Sequence, residues 1–342
     1  WRKIDLPHDW AMEGPYSPDA AQGEKGGYRP GGSGWYRRAF DVPEESSGRR
    51  LRIEFDGAYM NSEVWVNGHH LGQRPYGYIS FGYDLTPYLR PGRNVLAVRL
   101  DNSREPSARW YHGCGLYAPV RLVSTGDVHV MPSGVQVVAS SLAADSATVE
   151  ITTEVANAGG ADAPVKVRTT VLDPSGKEVA SSERTFALAA ASEAKETGVF
   201  RVPAPQRWDI DTPVLYTAVT EIRVDGEVTD TARTSFGLRE IKWDTATGFW
   251  LNGRNVKLLG VAEHLEGGPV GAAWPDALIR WKLKLLKDMG CNAVRTAHNP
   301  QVPRFYELCD ELGILVMDEI FDGWRQKAPQ DYGQQAFPEW WQ

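Results

Sequence analysis

The chain has 342 residues, 42% of them hydrophobic, and its 37 Lys and Arg against 44 Asp and Glu give a net charge of −7. This length and apolar content predict two or three domains with cores of their own. Charges of both signs are interspersed, which excludes the basic footprint of a nucleic-acid-binding surface. The sequence contains no run of 18 apolar residues, so no membrane span is predicted.

The aromatic residues and cysteines further narrow the class of protein. The 13 Trp and 13 Tyr suit the lining of a sugar cleft and, equally, the cores of β-sandwiches. Cys114, Cys291 and Cys309 form neither a disulfide framework nor a pair with metal-ligand spacing. No cofactor is evident, and the sequence does not decide whether a divalent or monovalent metal is bound. The first residue is Trp1 and no signal-peptide pattern follows it, so we expect a missing or processed N-terminus and leave the compartment undetermined.

Residues 1–122 read as an all-β domain of the sandwich or jelly-roll type. Short alternating runs lie at residues 51–55, 62–68 and 94–102, and turn residues separate them. Asn67-Gly68 between two such runs predicts a hairpin with a type I′ turn, because both central residues of that turn need positive φ.

Residues 123–241 predict a second β-sandwich without evident chemistry. Aromatic residues thin out, and alternating runs rich in Val and Thr follow one another, with a hairpin around Asp225-Gly226. We expect this domain to serve as a spacer and a rigid support.

From residue 242 to 342 the pattern changes to alternating strands and helices. A hairpin at 248–255 leads into an apolar strand that we expect to run to residue 261, and further strands are predicted at 291–296 and 314–319. Helices are predicted at 275–290 and 303–313, each ended by a glycine. The predicted apolar face of the first helix consists of Leu278, Trp281, Leu285, Leu286 and Met289. Apolar strands that alternate with helices indicate a buried parallel sheet.

The length of this last region favours an incomplete (β/α)₈ barrel over a smaller parallel fold. Such a barrel needs about 250 residues, and only about 100 remain after residue 242, which is room for three strands of eight. Residues 337–341, Phe-Pro-Glu-Trp-Trp, read as the beginning of a further segment. We therefore expect the chain to stop inside the barrel.

Polar residues follow all three predicted strands of this region. They are His264 and Glu266 after the first, Arg295, His298 and Asn299 after the second, and Asp318, Glu319 and Asp322 after the third. Chemistry in α/β barrels lies at the carboxyl ends of the strands, so these residues predict one site. Asp318 and Glu319 are a poor catalytic dyad, because adjacent strand residues point to opposite faces. One of the two is expected to pair with Arg295 instead.

Residues 292–317, NAVRTAHNPQVPRFYELCDELGILVM, resemble the first signature of glycoside hydrolase family 2. Asn299 stands where the pattern usually has Tyr, a form that resembles a branch of bacterial β-galactosidases. The segments LPHDW (6–10), GWYRRAF (34–40) and SARWYHGCGLY (107–117) resemble the family's sugar-binding jelly roll. The resemblance thus implies a jelly-roll β-sandwich, an immunoglobulin-like β-sandwich and the first three β/α units of a TIM barrel, in a protein of the bacterial cytoplasm or periplasm.

The resemblance also implies retaining hydrolysis of a terminal β-linked sugar by two glutamates. The family's acid/base lies in an Asn-Glu dipeptide after the fourth barrel strand, and its nucleophile follows the seventh. The sequence has no Asn-Glu dipeptide, so we expect both glutamates beyond Gln342 and no catalytic residue in this chain. The chain would then need the rest of its own polypeptide as a partner, and residues 1–342 alone would be inactive.

What the resemblance assigns to this chain is the side of the site that binds the substrate. The residues it implies for sugar binding are His264, His298, Asn299 and Asp322 from the barrel and Arg109, Trp110 and Tyr111 from the jelly roll. Trp110 has two readings, stacking on a sugar face or packing between domains. Arg295 is implied as a support, together with Asp318 and Glu319, and we expect His8 and Asp9 to make structural hydrogen bonds.

The leading reading is an exo-acting β-galactosidase with a β-galactoside or related oligosaccharide as substrate. A β-glucuronidase of the same family is the alternative, and a non-catalytic carbohydrate-binding protein is the alternative of another class. A homo-oligomer stays possible in each case, and none of them involves nucleic acid or a membrane.

Overall fold

A computed structural model describes residues 1–322 apart from 43, 47 and 105–108, so the segment expected at 337–341 lies outside the described residues. The chain divides into two compact units. The first contains residues 1–124, 260–308 and, within the described range, 316–322. The second contains residues 125–259 and 309–315.

The first unit begins with the expected jelly-roll sandwich. Its strands are β1 (Gly32–Asp41), β2 (Arg50–Phe55), β3 (Ser62–Val66), β4 (His69–Arg74), β5 (Phe81–Asp84), β6 (Arg93–Asn102) and β7 (Val120–Thr125). They form two sheets with the strand orders β1-β6-β3-β4 and β5-β2-β7. The alternation in the sequence fixes which side chains enter the core, since Leu51, Ile53 and Phe55 of β2 are buried. Phe55 stacks on Phe81 at a centroid distance of 4.8 Å.

The hairpin between β3 and β4 has the turn that Asn67-Gly68 predicts. Both residues have positive φ, 50° for Asn67 and 87° for Gly68. The Asn67 side chain also donates to the Tyr88 carbonyl at 2.8 Å and accepts from the Val95 amide at 3.0 Å. This asparagine therefore joins the turn to the start of β6 as well as allowing its geometry.

The second unit is the expected immunoglobulin-like sandwich with a small hairpin after it. Its two sheets have the orders β12-β9-β8 and β11-β10-β13-β14, and the hairpin strands form a third sheet. The strands are β8 (Val128–Leu142), β9 (Ser146–Asn157), β10 (Ala163–Leu172), β11 (Glu178–Leu188), β12 (Ser192–Pro203), β13 (Tyr216–Val224), β14 (Glu227–Phe236), β15 (Ile241–Asp244), β16 (Gly248–Leu251) and β17 (Arg254–Asn255). Asn252 of the hairpin donates to the Trp208 carbonyl at 2.9 Å, which ties the hairpin to the sandwich.

The opening of a (β/α)₈ barrel follows. Its elements are β18 (Gly260–Glu263), α1 (Asp276–Asp288), β19 (Ala293–Thr296), α2 (Pro303–Leu312) and β20 (Leu315–Met317). The three strands lie in the order β18-β19-β20, and β18 is parallel to β19 with Gly260 opposite Ala293. In the described part of the chain, neither helix has the length and apolar character that crossing a membrane requires.

Two expectations about this region are wrong. The strand expected to continue through residues 256–259 begins only at Gly260, because strand pairing starts where β19 lies alongside. The expected apolar face of α1 is also misplaced, since Ile279, Leu283 and Leu286 are buried whereas Trp281 is 59% and Met289 75% exposed. Helix α1 carries two adjacent apolar stripes, and helical periodicity does not say which of them packs on the sheet.

The turn at Asn67 gives the first prediction. Asn67→Ala should lower the free energy of unfolding by about 2–3 kcal/mol, because alanine is strained at positive φ and the three side-chain hydrogen bonds of Asn67 are lost. Urea unfolding measures this loss. Asp225→Ala is the matched control, since Asp225 has a φ of 51° in an exposed turn, and it should cost only about 1 kcal/mol. Equal losses in the two variants would contradict a role for the Asn67 hydrogen bonds.

Candidate functional site

The carboxyl ends of the three parallel strands carry a cluster of polar side chains. His264 follows β18, His298 lies two residues after β19, and Glu319 lies two residues after β20. The rings of His264 and His298 meet edge to face with centroids 5.4 Å apart. The convergence expected from the sequence thus brings two imidazoles into contact.

Trp110 of the jelly roll closes this cluster from the other side. Its ring lies 5.4 Å from that of His264 and 5.1 Å from that of His298, at interplanar angles of 68° and 66°. Trp110 is only 8% exposed, and its indole N–H has no hydrogen-bond partner among the described residues. A buried donor of this kind is costly unless a ligand or water accepts from it.

Glu319 fixes the hydrogen bonding of His298. Its carboxylate forms an ion pair with Arg295, the contact expected for one member of the acidic dipeptide. It also lies 2.7 Å from Nδ1 of His298, which must donate because a carboxylate only accepts. In the neutral ring this leaves Nε2 of His298 as an acceptor.

His264 is the second imidazole of the cluster, and its pKa is lowered. Burial is the main cause, and the neighbouring His298 acts in the same direction, whereas Glu266 and Asp322 oppose it. A neutral His264 offers one ring nitrogen as a donor and the other as an acceptor. The pair of histidines therefore suits a ligand with hydroxyl groups.

Asp318 has partners different from those of Glu319, and both residues lie beyond β20, which ends at Met317 rather than at the expected residue 319. Asp318 accepts hydrogen bonds from the Thr296 hydroxyl at 2.8 Å and from the Tyr306 hydroxyl at 2.6 Å. The Thr296 hydroxyl in turn accepts from the Glu319 amide at 2.8 Å. Sequence reasoning missed Thr296 and Tyr306 as supports, because each lies on an element whose pattern only indicates packing.

Arg109 and Asp322 meet at the edge of the cluster. One guanidinium nitrogen of Arg109 lies 3.2 Å and 3.3 Å from the two Asp322 oxygens. The segment before Asp322 is held by Tyr76 of the jelly roll, whose hydroxyl donates to the Ile320 carbonyl at 2.7 Å and whose ring stacks on Phe321. The two residues expected at the sugar are thus paired with each other.

Two further expected site residues lie apart from the cluster. Asn299 is 1% exposed, and its amide donates to the carbonyl of Pro300 at 2.8 Å. The Tyr111 hydroxyl donates to Asp9 at 2.5 Å. Sugar binding by Asn299 and Tyr111 stays a prediction. Within residues 1–42, 44–46, 48–104 and 109–322, no three His, Cys, Asp or Glu side chains are grouped as a metal site would require.

Comparison with protein families finds three matching models, all of one family. The sugar-binding-domain model of glycosyl hydrolases family 2 matches residues 25–119, and the model named glycosyl hydrolases family 2 matches residues 128–239. The TIM-barrel-domain model of the same family matches residues 244–331.

Curated relatives are similar along the whole chain but are much longer than it. A Formosa agariphila protein whose provisional name is beta-glucuronidase is 50% identical over 100% of this chain. The beta-galactosidase BoGH2A of Bacteroides ovatus is 47% identical over 99% of it. The chain spans 32% and 40% of their respective lengths.

Solved structures agree with this picture. A beta-glycosidase from Bacteroides vulgatus superposes with a TM-score of 0.93 at 42% identity, over 100% of this chain and 43% of that one. A family 2 member from Bacteroides cellulosilyticus gives a TM-score of 0.95 at 37% identity, over 100% of this chain and 45% of that one.

His112, in the same loop as Trp110, is a buried imidazole. Its ring stacks on Tyr59 at 4.6 Å, and Nε2 lies 3.3 Å from the Gln22 side-chain oxygen. Burial lowers the pKa of His112 to about 4, although the Gly113 carbonyl acts against this. The unfolded chain, with a pKa near 6.5, therefore binds more protons than the folded one between about pH 6.5 and pH 4.

This proton difference gives the second prediction. Stability should fall as the pH drops through that window, with His112 contributing a loss of about 2 kcal/mol at pH 5 relative to pH 7.5. His112→Gln should remove that part of the pH dependence, as measured by urea unfolding at the two pH values. His70→Gln, at an imidazole that is 47% exposed, is the control and should keep the wild-type pH dependence. An unchanged dependence in His112→Gln would refute the assignment.

Proposed function

This chain belongs to glycosyl hydrolases family 2, and from that membership we propose that it forms the sugar-binding part of a retaining, exo-acting glycoside hydrolase. The observation that carries the proposal is the contact of Trp110 with His264 and His298 at the carboxyl ends of the first two barrel strands. Three residues far apart in sequence meet there, and two of them are imidazoles.

The hydrogen-bonding capacity of this cluster supports a sugar ligand. A hydroxyl group donates one hydrogen bond and accepts two, so it needs donors and acceptors side by side. A neutral His264 supplies both kinds. In its neutral form His298 supplies an acceptor at Nε2, because its Nδ1–H donates to the Glu319 carboxylate. The partnerless indole N–H of Trp110 adds a donor that a hydroxyl oxygen would satisfy.

The acid/base and the nucleophile are proposed to lie outside these 342 residues. Retaining hydrolysis needs two carboxyl groups about 5–5.5 Å apart that face each other across the bond. Glu319 is tied to Arg295 and His298, and Asp318 is tied to Thr296 and Tyr306 on the other side. Neither carboxylate is free for the reaction, and the chain covers only about a third to two fifths of its curated relatives.

We propose a neutral sugar, and specifically a β-galactosyl residue, as the group that is removed. A glucuronide brings a carboxylate, which requires a cationic or amide donor. The two guanidinium groups at the cluster are already neutralised, Arg109 by Asp322 and Arg295 by Glu319. A sugar without charge can bind here without breaking either ion pair.

β-Glucuronidase is the second candidate, since relatives of similar identity carry both names. In that case the donors for the sugar carboxylate would come from outside the described residues. The alternative of another class, a carbohydrate-binding protein without catalysis, predicts sugar binding that is never followed by cleavage.

The third prediction separates these functions. The complete polypeptide should release nitrophenol from nitrophenyl β-galactoside faster than from the β-glucuronide, and residues 1–342 alone should release none, because the catalytic carboxylate pair is proposed to lie outside them. Faster glucuronide cleavage would overturn the galactosidase assignment. Binding without cleavage by the complete polypeptide would overturn the hydrolase proposal.

The fourth prediction concerns sugar charge. Asp322→Asn in the complete polypeptide should free Arg109 and improve kcat/KM for the glucuronide relative to the galactoside by about fivefold, the equivalent of ~1 kcal/mol. Asp101→Asn is the control, because it removes one of the two carboxylates that pair with Arg99 at 2.7 Å on the jelly roll, and it should leave the ratio unchanged. A ratio that shifts equally in both variants would contradict a local role of Asp322.

A further inference from the structure

Asp9 is a buried carboxylate that the site described above does not use. It lies just before the short 3₁₀ helix Trp10–Glu13 and is 4% exposed. Burial raises the pKa of its carboxyl, whereas four hydrogen-bond donors around it act in the opposite direction. A buried carboxylate with this many donors is expected to hold its surroundings in one arrangement.

The four donors come from three separate segments of the chain. Oδ1 accepts from the Ala11 amide at 3.2 Å and from the Cys114 amide at 3.0 Å. Oδ2 accepts from the Tyr111 hydroxyl at 2.5 Å and from the Ala272 amide at 2.9 Å. One side chain thus connects the N-terminal loop, jelly-roll loop 109–115 and barrel loop 264–275.

The backbone around Asp9 is packed too closely for side chains. Gly113 has a φ of 76° and Gly271 a φ of 60°. A Cβ at Gly113 would collide with Ala272, and a Cβ at Gly271 would collide with the Asp9 carboxylate and stand 2.9 Å from the Tyr111 hydroxyl. The glycines therefore allow the two loops to reach the same carboxylate.

The N-terminal loop is itself held against the jelly-roll loop. The His8 amide donates to the Leu116 carbonyl at 2.8 Å, and the Trp10 amide donates to the Cys114 carbonyl at 2.9 Å. Asp9 is therefore a fixed point on the jelly roll, and its bond to the Ala272 amide is the one that reaches into the barrel.

Both loops joined by Asp9 lead directly to the sugar-binding cluster. Tyr111 follows Arg109 and Trp110 along the jelly-roll loop, and Ala272 lies in the barrel loop that begins with His264. A shift between these loops would change the contact of Trp110 with His264, whose ring centroids are 5.4 Å apart.

We propose that Asp9 is the positioning residue of the substrate site: its carboxylate fixes jelly-roll loop 109–115 against barrel loop 264–275 and so holds Trp110 against the two histidines. Asp9 acts through these loops and does not touch the sugar. The proposal rests on the proposed function for its effect on catalysis, but its effect on the loops is independent of any activity.

The experiment compares Asp9→Asn with Asp56→Asn in the complete polypeptide. The asparagine amide keeps the volume of Asp9 but replaces one acceptor oxygen by a donor, so one pair of hydrogen bonds is lost. Asp56 is the matched control, since it is 5% exposed and bound to Arg121 by two hydrogen bonds within the jelly roll, with no bond to either loop. The readouts are steady-state kinetics on a nitrophenyl glycoside and hydrogen exchange of peptides covering 109–115 and 268–274.

We expect Asp9→Asn to lower kcat/KM by on the order of 10²-fold, mainly through KM, as displacement of a binding wall does. Exchange of the two peptides should become at least about tenfold faster, since buried amide hydrogen bonds are lost. Asp56→Asn should change neither readout beyond about twofold. Equal effects of the two variants, or unchanged exchange in Asp9→Asn, would overturn the proposal.

A less disruptive variant tests the proposal if Asp9→Asn does not fold. Tyr111→Phe removes one donor only and should speed exchange in the 109–115 peptide while sparing that of the Asp56 region; unchanged exchange there would count against the proposal. If the wild-type protein cleaves no glycoside, the proposed function fails, and the exchange data still decide the role of Asp9.

Discussion

The convergence of parallel strands is the constraint on which the rest of this structure depends. The strands β18, β19 and β20 lie side by side in one sheet, and the residues that follow them therefore reach one rim. Nothing in the local sequence places His264 beside His298, 34 positions later, except this geometry. The jelly roll, which belongs to the same unit, contributes Trp110, and the Trp110 ring contacts both histidines.

Both guanidinium groups at this rim are paired with carboxylates. Glu319 neutralises Arg295 and directs the His298 proton, Asp322 neutralises Arg109, and burial keeps His264 uncharged. The proposed sugar would be recognised there through donors and acceptors rather than through a net charge. The same pairing explains why the acidic residues present here are unsuited to bond cleavage.

The local pattern predicted those features that depend on neighbours in sequence. The turn at Asn67-Gly68 follows from the φ angles that only a few residues adopt, and the buried positions of β2 follow from alternation. Periodicity failed on α1, where two apolar stripes are adjacent and the stripe with Ile279 is the buried one. Periodicity also placed the start of β18 too early, because a strand begins where its pairing begins, and the partner of β18 is the distant strand β19.

The sequence by itself determined the order of the elements and the polar residues at the strand ends, since both follow from spacing over short ranges, and its motifs carried the resemblance to the family. Only the tertiary structure decided which of those residues meet. Trp110 reaches His264 across 154 positions of sequence, and Asp9 reaches the Ala272 amide across 263. Contacts of that range depend on how the jelly roll packs on the barrel strands, and no local propensity encodes that packing.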